Sequence, residues 1–198
     1  MAQAAESHEV HRTSTGLDNA KIAMWAFLGS ECLLFGALIS TYLLYRGHVG
    51  GGPKPSDVYD IPFTSVSSFV LLMSSLTMVL ALAAIQRGDM HGCRVWLMAT
   101  ALLGMTFVSG QVYEFTIFVK EGFTVRTSPA GSAFFVLTSF HGAHVTVGVL
   151  MLLSLVRMSA MGKLPQSRAT TVEYVGLYWH FVDIVWIVIF TLVYLIPS

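Results

Sequence analysis

Long apolar stretches without charged residues alternate along the chain with short polar segments. Five such stretches reach the ~20 residues that one crossing of a bilayer requires, and they span residues 22–45, 64–85, 95–119, 131–156 and 172–196. A backbone in hydrocarbon must satisfy its own hydrogen bonds, and the alternating pattern of strands is missing from these stretches. We therefore predict an all-α polytopic membrane protein with five transmembrane helices in one bundle over residues 21–198.

The segments between the predicted helices are short and rich in turn-forming residues. They contain a glycine- and proline-rich run at 47–55, the pairs Gly88-Asp89 and Ser128-Pro129, and Pro165. No second domain fits between the spans. Residues 1–20 are polar and lack the cationic start and short apolar run of a cleaved signal, so we expect a retained N-terminal tail.

Lysine and arginine are unevenly distributed between the two sides of the predicted bundle. An odd number of spans places the two termini on opposite sides of the membrane. With the N-terminus inside, the inner segments hold seven of these cations and the outer segments four. The positive-inside rule therefore favours an N-terminus inside and a C-terminus outside.

The composition agrees with this class and excludes others. Of the 198 residues, 55% are hydrophobic and 11% charged, the formal net charge is zero and the mean hydropathy is +0.68. No basic run offers the phosphate contacts that nucleic-acid binding requires, so nucleic acid is excluded as a partner. Cys32 and Cys93 are far apart and have no metal-like spacing, which argues against a disulfide framework or a zinc site.

Ionisable residues inside the predicted spans are the candidates for function, because a charged side chain is costly in hydrocarbon. The polar set comprises Glu31, the pairs Gln111 and Glu114, His141 and His144, and His180 and Asp183, and finally Glu173 near the end of a span. The members of each pair are three residues apart, which places them on one face of a helix. Counted along the helices, Glu114 lies near the outer interface, so we expect two separate sites. The residues near the middle are Glu31, His141, His144, His180 and Asp183.

Two interpretations of the central histidines and carboxylates remain open at this point. Two histidines and two carboxylates on facing helices resemble the ligands of a metal or haem site, although the repeated Glu-x-x-His turns of di-iron bundles do not occur. Alternatively, the His141/His144 and His180/Asp183 pairs satisfy each other's hydrogen bonds and tie helices together.

Glu31 differs from the other polar residues because no basic residue shares its span. Its neighbours on the same helix face are Phe27, Leu34, Phe35 and Leu38. Desolvation in such surroundings favours the neutral, protonated carboxyl group. Such a group serves as a proton reservoir or simply donates a hydrogen bond, and the residues alone favour neither role.

Two further features are interpreted as scaffold and topology signals. The second span has no ionisable residue. Together with its serines and threonines, this is typical of a lipid-facing or scaffold helix. Tyrosines within about two turns of the helix ends, among them Tyr42, Tyr178 and Tyr194, are interpreted as interfacial anchors.

Four segments of the chain carry a resemblance to a known family. They are FLGSECLLFGA at 27–37, GQVYEF at 110–115, GSAFFVLTSFHGAHV at 131–145 and YWHFVDIVW at 178–186. In this order and on four of the five spans, they closely resemble cytochrome c oxidase subunit III, the subunit III family of haem–copper terminal oxidases, in its five-helix bacterial form. The likeness covers about residues 20–197.

The resemblance implies an accessory role in an aerobic respiratory complex of the bacterial plasma (inner) membrane. Subunit III of this family has no redox cofactor of its own. The haems and copper belong to partner subunits, with subunit I as the main contact and subunit II in the same complex. Family members support proton uptake by subunit I, protect the complex during turnover and retain structural phospholipid, and membership of a larger respiratory supercomplex is possible for them.

Individual residues are carried over from the family in the same way. Glu31 matches its buried carbodiimide-reactive glutamate, and His141, His144, His180 and Asp183 match polar positions that tie its helices together. Mitochondrial members have seven helices, and this chain lacks the first two. Gln111 stands where those members have an acidic residue.

The sequence also leaves alternatives to the leading hypothesis of a cytochrome c oxidase. The same fold occurs in subunit III of a quinol oxidase or in a companion of nitric oxide reductase, and nothing in the chain identifies the electron donor. A stand-alone proton-coupled transporter would use Glu31 and the polar stripes as a relay. Its usual inverted repeats and interrupted helices are missing from the pattern.

Overall fold

A computed structural model describes residues 19–49 and 59–196 of the chain. Its helices are α1 (Asn19–Tyr45), α2 (Ile61–Gln86), α3 (Met90–Lys120), α4 (Pro129–Ala160) and α5 (Ala169–Phe190). All five are long and apolar enough to cross a membrane, which confirms the predicted all-α class and the five spans. Most of the predicted tail, residues 1–18, and much of the glycine-rich connection, residues 50–58, lie outside the described residues.

Local turn chemistry separates consecutive helices from α2 onward. Gly88, Gly122 and Gly162 follow the ends of α2, α3 and α4 with φ of +80°, +82° and +68°, the left-handed region that glycine adopts without steric cost. At each end a backbone N–H one residue further on bonds back into the last turn, as Asp89 does to Ala84 at 3.0 Å. α3 then begins at a side-chain cap, Asp89, whose Oδ1 accepts from the Gly92 N–H at 2.8 Å. Ser128 caps α4 in the same way, whereas α5 begins without a side-chain cap.

The helices extend beyond several of the predicted spans. α3 begins at residue 90 rather than 95, α4 covers 129–160 rather than 131–156, and α1 begins at residue 19 rather than 22. Side-chain caps set the starts of α3 and α4, whereas hydropathy locates only the segment inside the hydrocarbon. After α5 the helix continues over Thr191–Leu195 as a wider π-helical turn. The Ile196 N–H bonds there to the Thr191 carbonyl oxygen, five residues earlier, at 3.2 Å.

Four of the helices form a closed ring and the fifth lies outside it. α2 packs on α3, α3 on α4, α4 on α5, and α5 returns to α2. α1 packs mainly against α4 and α5 from outside the ring. It buries only Leu28, Phe35 and Tyr42, which are seven residues apart and therefore form one stripe.

The centre of the ring is organised around tryptophans of α5. Trp179 is fully buried, and its indole N–H donates to Ser74 Oγ of α2 at 2.9 Å. Gly104 of α3 and Gly148 of α4 face this indole, because a Cβ at either position would lie 2.5 Å or 2.7 Å from a ring atom. The ring of helices closes around one aromatic side chain that the two glycines accommodate.

Candidate functional site

The carboxyl group of Glu31 on α1 meets the imidazole of His144 on α4. Glu31 Oε2 lies 3.2 Å from His144 Nε2, and the two side chains are 15% and 18% exposed. Phe35 covers the imidazole, with a ring-to-ring distance of 5.0 Å. The basic partner of Glu31 is thus a histidine from another helix.

The hydrogen bonds of His144 fix where its protons can be. Nδ1 lies 2.7 Å from the carbonyl oxygen of Phe140, which only accepts hydrogen bonds, so Nδ1 carries a hydrogen. The contact between Nε2 and Glu31 then requires one further proton, on either the imidazole or the carboxyl group. Tyr178 of α5 donates its hydroxyl hydrogen to the carbonyl oxygen of His144 at 3.0 Å. The pair thus shares a single proton between two helices.

Two cavities open along the line where α1 meets α4, here called the α1–α4 seam. The first has a volume of about 350 Å³ and apolar walls that include Met24, Phe27 and Met151, and the Glu31–His144 pair borders it. The second has a volume of about 680 Å³, lies between the end of α1 and the start of α4, and is lined by Tyr45 and Arg126 among others. The seam therefore offers apolar space beside a polar pair and beside a cation.

Gln111 and Glu114 are buried on α3, and each is bonded to a different neighbouring helix. Thr64 of α2 donates a short hydrogen bond to the Glu114 carboxyl group. Gln111 Nε2 donates to the carbonyl oxygen of Thr138 on α4 at 2.8 Å. Gly142 makes room for this amide, since a Cβ there would lie 2.5 Å from Gln111 Oε1. These two residues tie α3 to both of its neighbours.

An aromatic cluster surrounds Glu114 at the C-terminal end of α3. Tyr59, just before α2, lies 4.6 Å from Tyr194 and 5.3 Å from Phe134 between ring centroids. Burial, together with the neighbouring Tyr194 and Glu114, raises the pKa of Tyr59 well above its usual range. The hydroxyl of Tyr59 makes no hydrogen bond of good geometry within the described residues. These aromatic rings close this end of the helix ring.

His180 and Asp183 of α5 do not pair with each other, and the predicted same-face pair is wrong in this respect. His180 Nδ1 lies 2.6 Å from Ser75 Oγ of α2, and both side chains are partly exposed. Asp183 is buried close to Ser75, but neither of its carboxyl oxygens has a hydrogen bond of good geometry within the described residues. Residues three apart differ by about 60° around a helix, so the two side chains turn towards different neighbours.

His141 makes no hydrogen bond to His180 or Asp183, and His144 bonds to Glu31, which corrects the prediction that the two pairs satisfy each other's hydrogen bonds. His141 is fully buried and stacks on Trp186, with ring centroids 4.9 Å apart and planes 25° apart. Phe107 meets the same ring edge-on at 6.0 Å. Neither ring nitrogen of His141 has a hydrogen bond in the part of the chain that the structure describes. This histidine packs as an aromatic ring between α3, α4 and α5.

Glu173, at the start of α5, forms an ion pair with Lys21 at the start of α1. Lys21 Nζ lies 3.1 Å from Glu173 Oε1, and the two side chains are 43% and 32% exposed. An ion pair this exposed to its surroundings contributes about 0–1 kcal/mol to the free energy of unfolding. Like the Glu31–His144 pair, it connects α1 to the ring.

The sequence interpretation missed the role of α2. This helix, interpreted as lipid-facing or scaffold, supplies hydroxyl partners to side chains of α3 and α5 through Thr64, Ser68, Ser74 and Ser75. A further hydroxyl, that of Thr77, lies 2.8 Å from Thr100 Oγ1 of α3. The signal was present in the sequence, because these hydroxyls recur at helical spacing along one side of the span. Three of the tyrosines interpreted as interfacial anchors, Tyr42, Tyr178 and Tyr194, are buried against neighbouring helices.

The fold and these connections define a class: a polytopic helical membrane protein whose polar side chains link one spanning helix to the next. In residues 19–49 and 59–196, no three His, Cys, Asp or Glu side chains are grouped as metal ligands. The family model described as cytochrome c oxidase subunit III matches residues 3–198. The chain belongs to the cytochrome c oxidase subunit III family.

Individual relatives carry the names of two kinds of oxidase. The chain is 38% identical to the cytochrome c oxidase subunit 3 of Bacillus sp. strain PS3, over 89% of this chain and 86% of that protein. It is 37% identical to the quinol oxidase subunit 3 of Bacillus spizizenii, over 93% and 90%. It is 36% identical to the cytochrome bo(3) ubiquinol oxidase subunit 3 of Pseudomonas aeruginosa, over 98% and 95%.

Proposed function

We propose that this chain is the non-redox accessory subunit III of an aerobic respiratory cytochrome c oxidase. In this proposal it supports proton uptake, lipid retention and stability of the catalytic subunit I during oxygen reduction. The haems and copper are held by partner subunits, subunit I is the main contact, and subunit II belongs to the same complex. The oxidase as a whole is the enzyme, and this chain contributes no catalytic centre to it.

The observation that carries the proposal is the Glu31–His144 pair beside the first seam cavity. It holds one proton in the membrane, at a position that is partly accessible from the seam. A group that binds a proton without being part of a reaction centre suits a role in proton supply to a neighbouring subunit. Gln111, Glu114 and His180 are bonded to neighbouring helices, which suits a stabilising scaffold.

Lipid retention is proposed from the shape and chemistry of the α1–α4 seam. Both cavities are open at the surface of the spanning helices. The first has mostly apolar walls, and the second combines apolar side chains such as Leu38 and Val136 with polar ones, which suits an acyl chain with its polar end nearby. Arg126 lines the second cavity and offers a charge that complements a phosphate group. Structural phospholipid is thus the occupant that we propose for this seam.

The proposed location is the plasma (inner) membrane of a bacterium, with the N-terminus inside. Bacterial relatives support the location. The excess of lysine and arginine on the segments that would lie inside supports the orientation. Reporter domains fused to either terminus, active on one side of the membrane only, test this topology.

The test of the supporting role compares the oxidase purified with and without this chain. The expected result is a complex that still reduces oxygen at first but takes up protons more slowly, loses bound phospholipid and inactivates after fewer turnovers. Initial rate, proton uptake, phospholipid phosphorus and activity over many turnovers are measured on the same preparations. If all four are unchanged, the proposal is wrong.

A quinol oxidase is the second candidate, because relatives named for it match this chain at similar identity. The discriminating measurement is oxygen uptake by the purified complex with reduced cytochrome c or with a quinol as donor. A dinuclear copper centre in the co-purified subunit II supports cytochrome c. Turnover with quinol alone supports the second candidate and leaves the accessory role of this chain intact.

A further inference from the structure

One oxygen of the Glu31 carboxyl group faces the first seam cavity without a protein partner. Oε2 contacts His144 Nε2, whereas Oε1 makes no hydrogen bond within the described residues. Glu31 lines the cavity, whose volume is about 350 Å³. Oε1 is not enclosed by protein, so a molecule in the cavity can reach it.

The shared proton fixes the hydrogen-bonding character of this oxygen. When Glu31 holds the proton, its O–H at Oε2 donates to His144 Nε2, and Oε1 is a carbonyl oxygen. When His144 holds the proton, Nε2 donates to Oε2, and Oε1 is a carboxylate oxygen. Oε1 accepts a hydrogen bond in both cases and donates one in neither. The cavity therefore favours a ligand that carries a hydrogen-bond donor.

Glu31 lies at a depth that phospholipid headgroups do not reach. It is 12 residues from the start of α1 and 14 from its end, which at ~1.5 Å per residue corresponds to ~18 Å and ~21 Å. Headgroups lie outside a hydrocarbon core ~30 Å thick. Acyl chains reach the middle of this core but have no donor to offer. The polar group of the ligand must therefore be dissolved in the hydrocarbon itself.

The walls of the cavity suit a flat ring. Phe27 and Tyr178 both line it and stack on each other, with ring centroids 6.2 Å apart and planes 22° apart. The thioethers of Met24 and Met151 line the same cavity, and such sulfur atoms make favourable contacts with aromatic rings. The imidazole of His144 and the hydroxyl of Tyr178 are already bonded. An ordered water requires about two to four polar partners, so an aromatic ring with a donor suits the cavity better than water.

We propose that the first seam cavity binds the reduced, quinol form of a membrane quinone, with a ring hydroxyl donating to Glu31 Oε1. A quinol combines an aromatic ring, a hydroxyl donor and an apolar tail that dissolves it in the hydrocarbon. The oxidised quinone has carbonyl oxygens, which only accept hydrogen bonds, so it binds more weakly. The proposal concerns binding alone and holds whichever electron donor the oxidase uses. It narrows the proposed lipid retention, because it assigns phospholipid to the second cavity, which Arg126 lines.

Photolabelling of the intact purified complex tests this site. A photoreactive azidoquinol with a short alkyl tail is added under anaerobic conditions, the sample is irradiated, and adducts are located by mass spectrometry. The expected adducts lie on peptides of this chain that contain Phe27, Val147 or Tyr178, which line the cavity. Unlabelled quinol should suppress them at about threefold to twentyfold lower concentration than the matching quinone, the range that one hydrogen bond in a membrane protein provides.

A pair of valine variants tests whether the label occupies the cavity. Val147→Trp places a large side chain in the cavity wall at a position that is 48% exposed, and it should abolish the adducts. Val79→Trp on α2 is the matched control, because Val79 is 51% exposed and does not line this cavity. Labelling of this control should equal that of the unaltered complex.

A second pair of variants tests the role of the shared proton. His144→Phe removes the base that engages the Glu31 carboxyl group, which can then donate to a quinone as well as accept from a quinol. The adducts should remain, and the preference for quinol should disappear. Glu31→Gln keeps a carbonyl oxygen as acceptor while its amide donates to His144, so the preference should persist. If His144→Phe does not fold, Glu31→Gln and the unaltered complex decide.

The proposal is overturned if no adduct lies in the cavity walls, or if quinol and quinone suppress labelling of the unaltered complex equally. Adducts that survive Val147→Trp, or a folded His144→Phe complex that still prefers quinol, would also refute it. The proposed function fails by a different result, namely an oxidase whose proton uptake, phospholipid content and lifetime do not depend on this chain. That result would leave the labelling of the cavity unaffected.

Discussion

The single proton of the Glu31–His144 pair has consequences for substitutions at residue 31. Because His144 Nδ1 donates to Phe140, its Nε2 can accept a hydrogen bond when the ring is neutral. The side chain at position 31 must then be a donor. An amide supplies this donor, and a hydrocarbon side chain does not.

We predict that Glu31→Gln leaves the thermal stability of the purified protein nearly unchanged, whereas Glu31→Leu lowers it. The leucine variant leaves His144 Nε2 unpaired in the membrane, which costs about 1–2 kcal/mol. Thermal denaturation of the two variants beside the parent protein measures this difference. Equal melting temperatures for the glutamine and leucine variants would show that the pair does not stabilise α1.

Asp183 gives a different prediction, because its buried oxygens have no hydrogen bond of good geometry. The sequence suggested that Asp183 takes part in hydrogen bonds that tie helices together, but its neighbour His180 is bonded to Ser75. Removing an unsatisfied buried carboxyl group recovers its desolvation cost, about 1–3 kcal/mol. We therefore predict that Asp183→Leu melts at the same temperature as the parent or above it, and a fall of several degrees would contradict this.

Residue spacing predicted that the members of each polar pair lie on neighbouring parts of one helix. It did not predict which groups they bond to. His141 and His144 do lie on neighbouring parts of α4, as do His180 and Asp183 on α5. The offset of about 60° within each pair is nevertheless enough to direct one side chain into the ring and the other towards a different helix. The positions of α1 and α2 decide the partners, and no pattern within α4 or α5 contains that information.

At the scale of elements, the packing of α3, α4 and α5 depends on one indole and two glycines. Trp179 fills the space that Gly104 and Gly148 leave open, and the hydroxyl of Ser74 satisfies its N–H. In contrast, Gly36 on α1 has no atom within 4 Å of a Cβ built on it. Glycines of the same chain therefore differ sharply in what an added methyl group would meet.

Alanine substitutions at these glycines should have opposite effects. Gly148→Ala places a Cβ 2.7 Å from the Trp179 ring, and overpacking of this kind costs about 1–3 kcal/mol. Gly36→Ala meets open space and gains helix propensity, so it should leave stability unchanged or raise it slightly. The melting temperatures of the two variants measure the effect, and equal values would argue against a tightly packed indole.

Hydropathy alone predicted the number and type of the elements, because a membrane span must be apolar over a length set by the bilayer. The helix ends were harder to predict, because the caps at Asp60, Asp89 and Ser128 extend the helices beyond the apolar run. The hydrogen bonds that α2 supplies were hardest to predict. Its hydroxyl groups are ordinary in a membrane helix until the indoles of α5 are placed opposite them.

At the scale of the whole molecule, α1 is the least integrated element. It buries a single stripe of side chains, and its connections to the ring include a half-exposed ion pair and the Glu31–His144 pair. The sequence did not reveal this peripheral position, because α1 is as apolar as the helices of the ring. Its neighbours follow only from the three-dimensional arrangement.

This arrangement predicts that the backbone of α1 is the first to open. Hydrogen exchange of the purified protein should show faster exchange along α1 than along α5, where more than a third of the span is buried. Mass spectrometry of peptides from both helices under identical detergent conditions provides the comparison. Equal or slower exchange in α1 would show that the contacts of α1 outside the ring protect its backbone as well as the contacts inside the ring protect that of α5.

The order of contacts also bears on how the protein is made. α1 is the first of these helices to leave the ribosome, but its main neighbours, α4 and α5, are the last. Glu31 is separated from His144 by 113 residues, which at ~5–20 residues per second corresponds to roughly 6–20 s of translation. During that interval a nascent acid waits in the insertion machinery or the lipid without its base, so biogenesis must shelter it or keep it protonated until the fourth helix arrives.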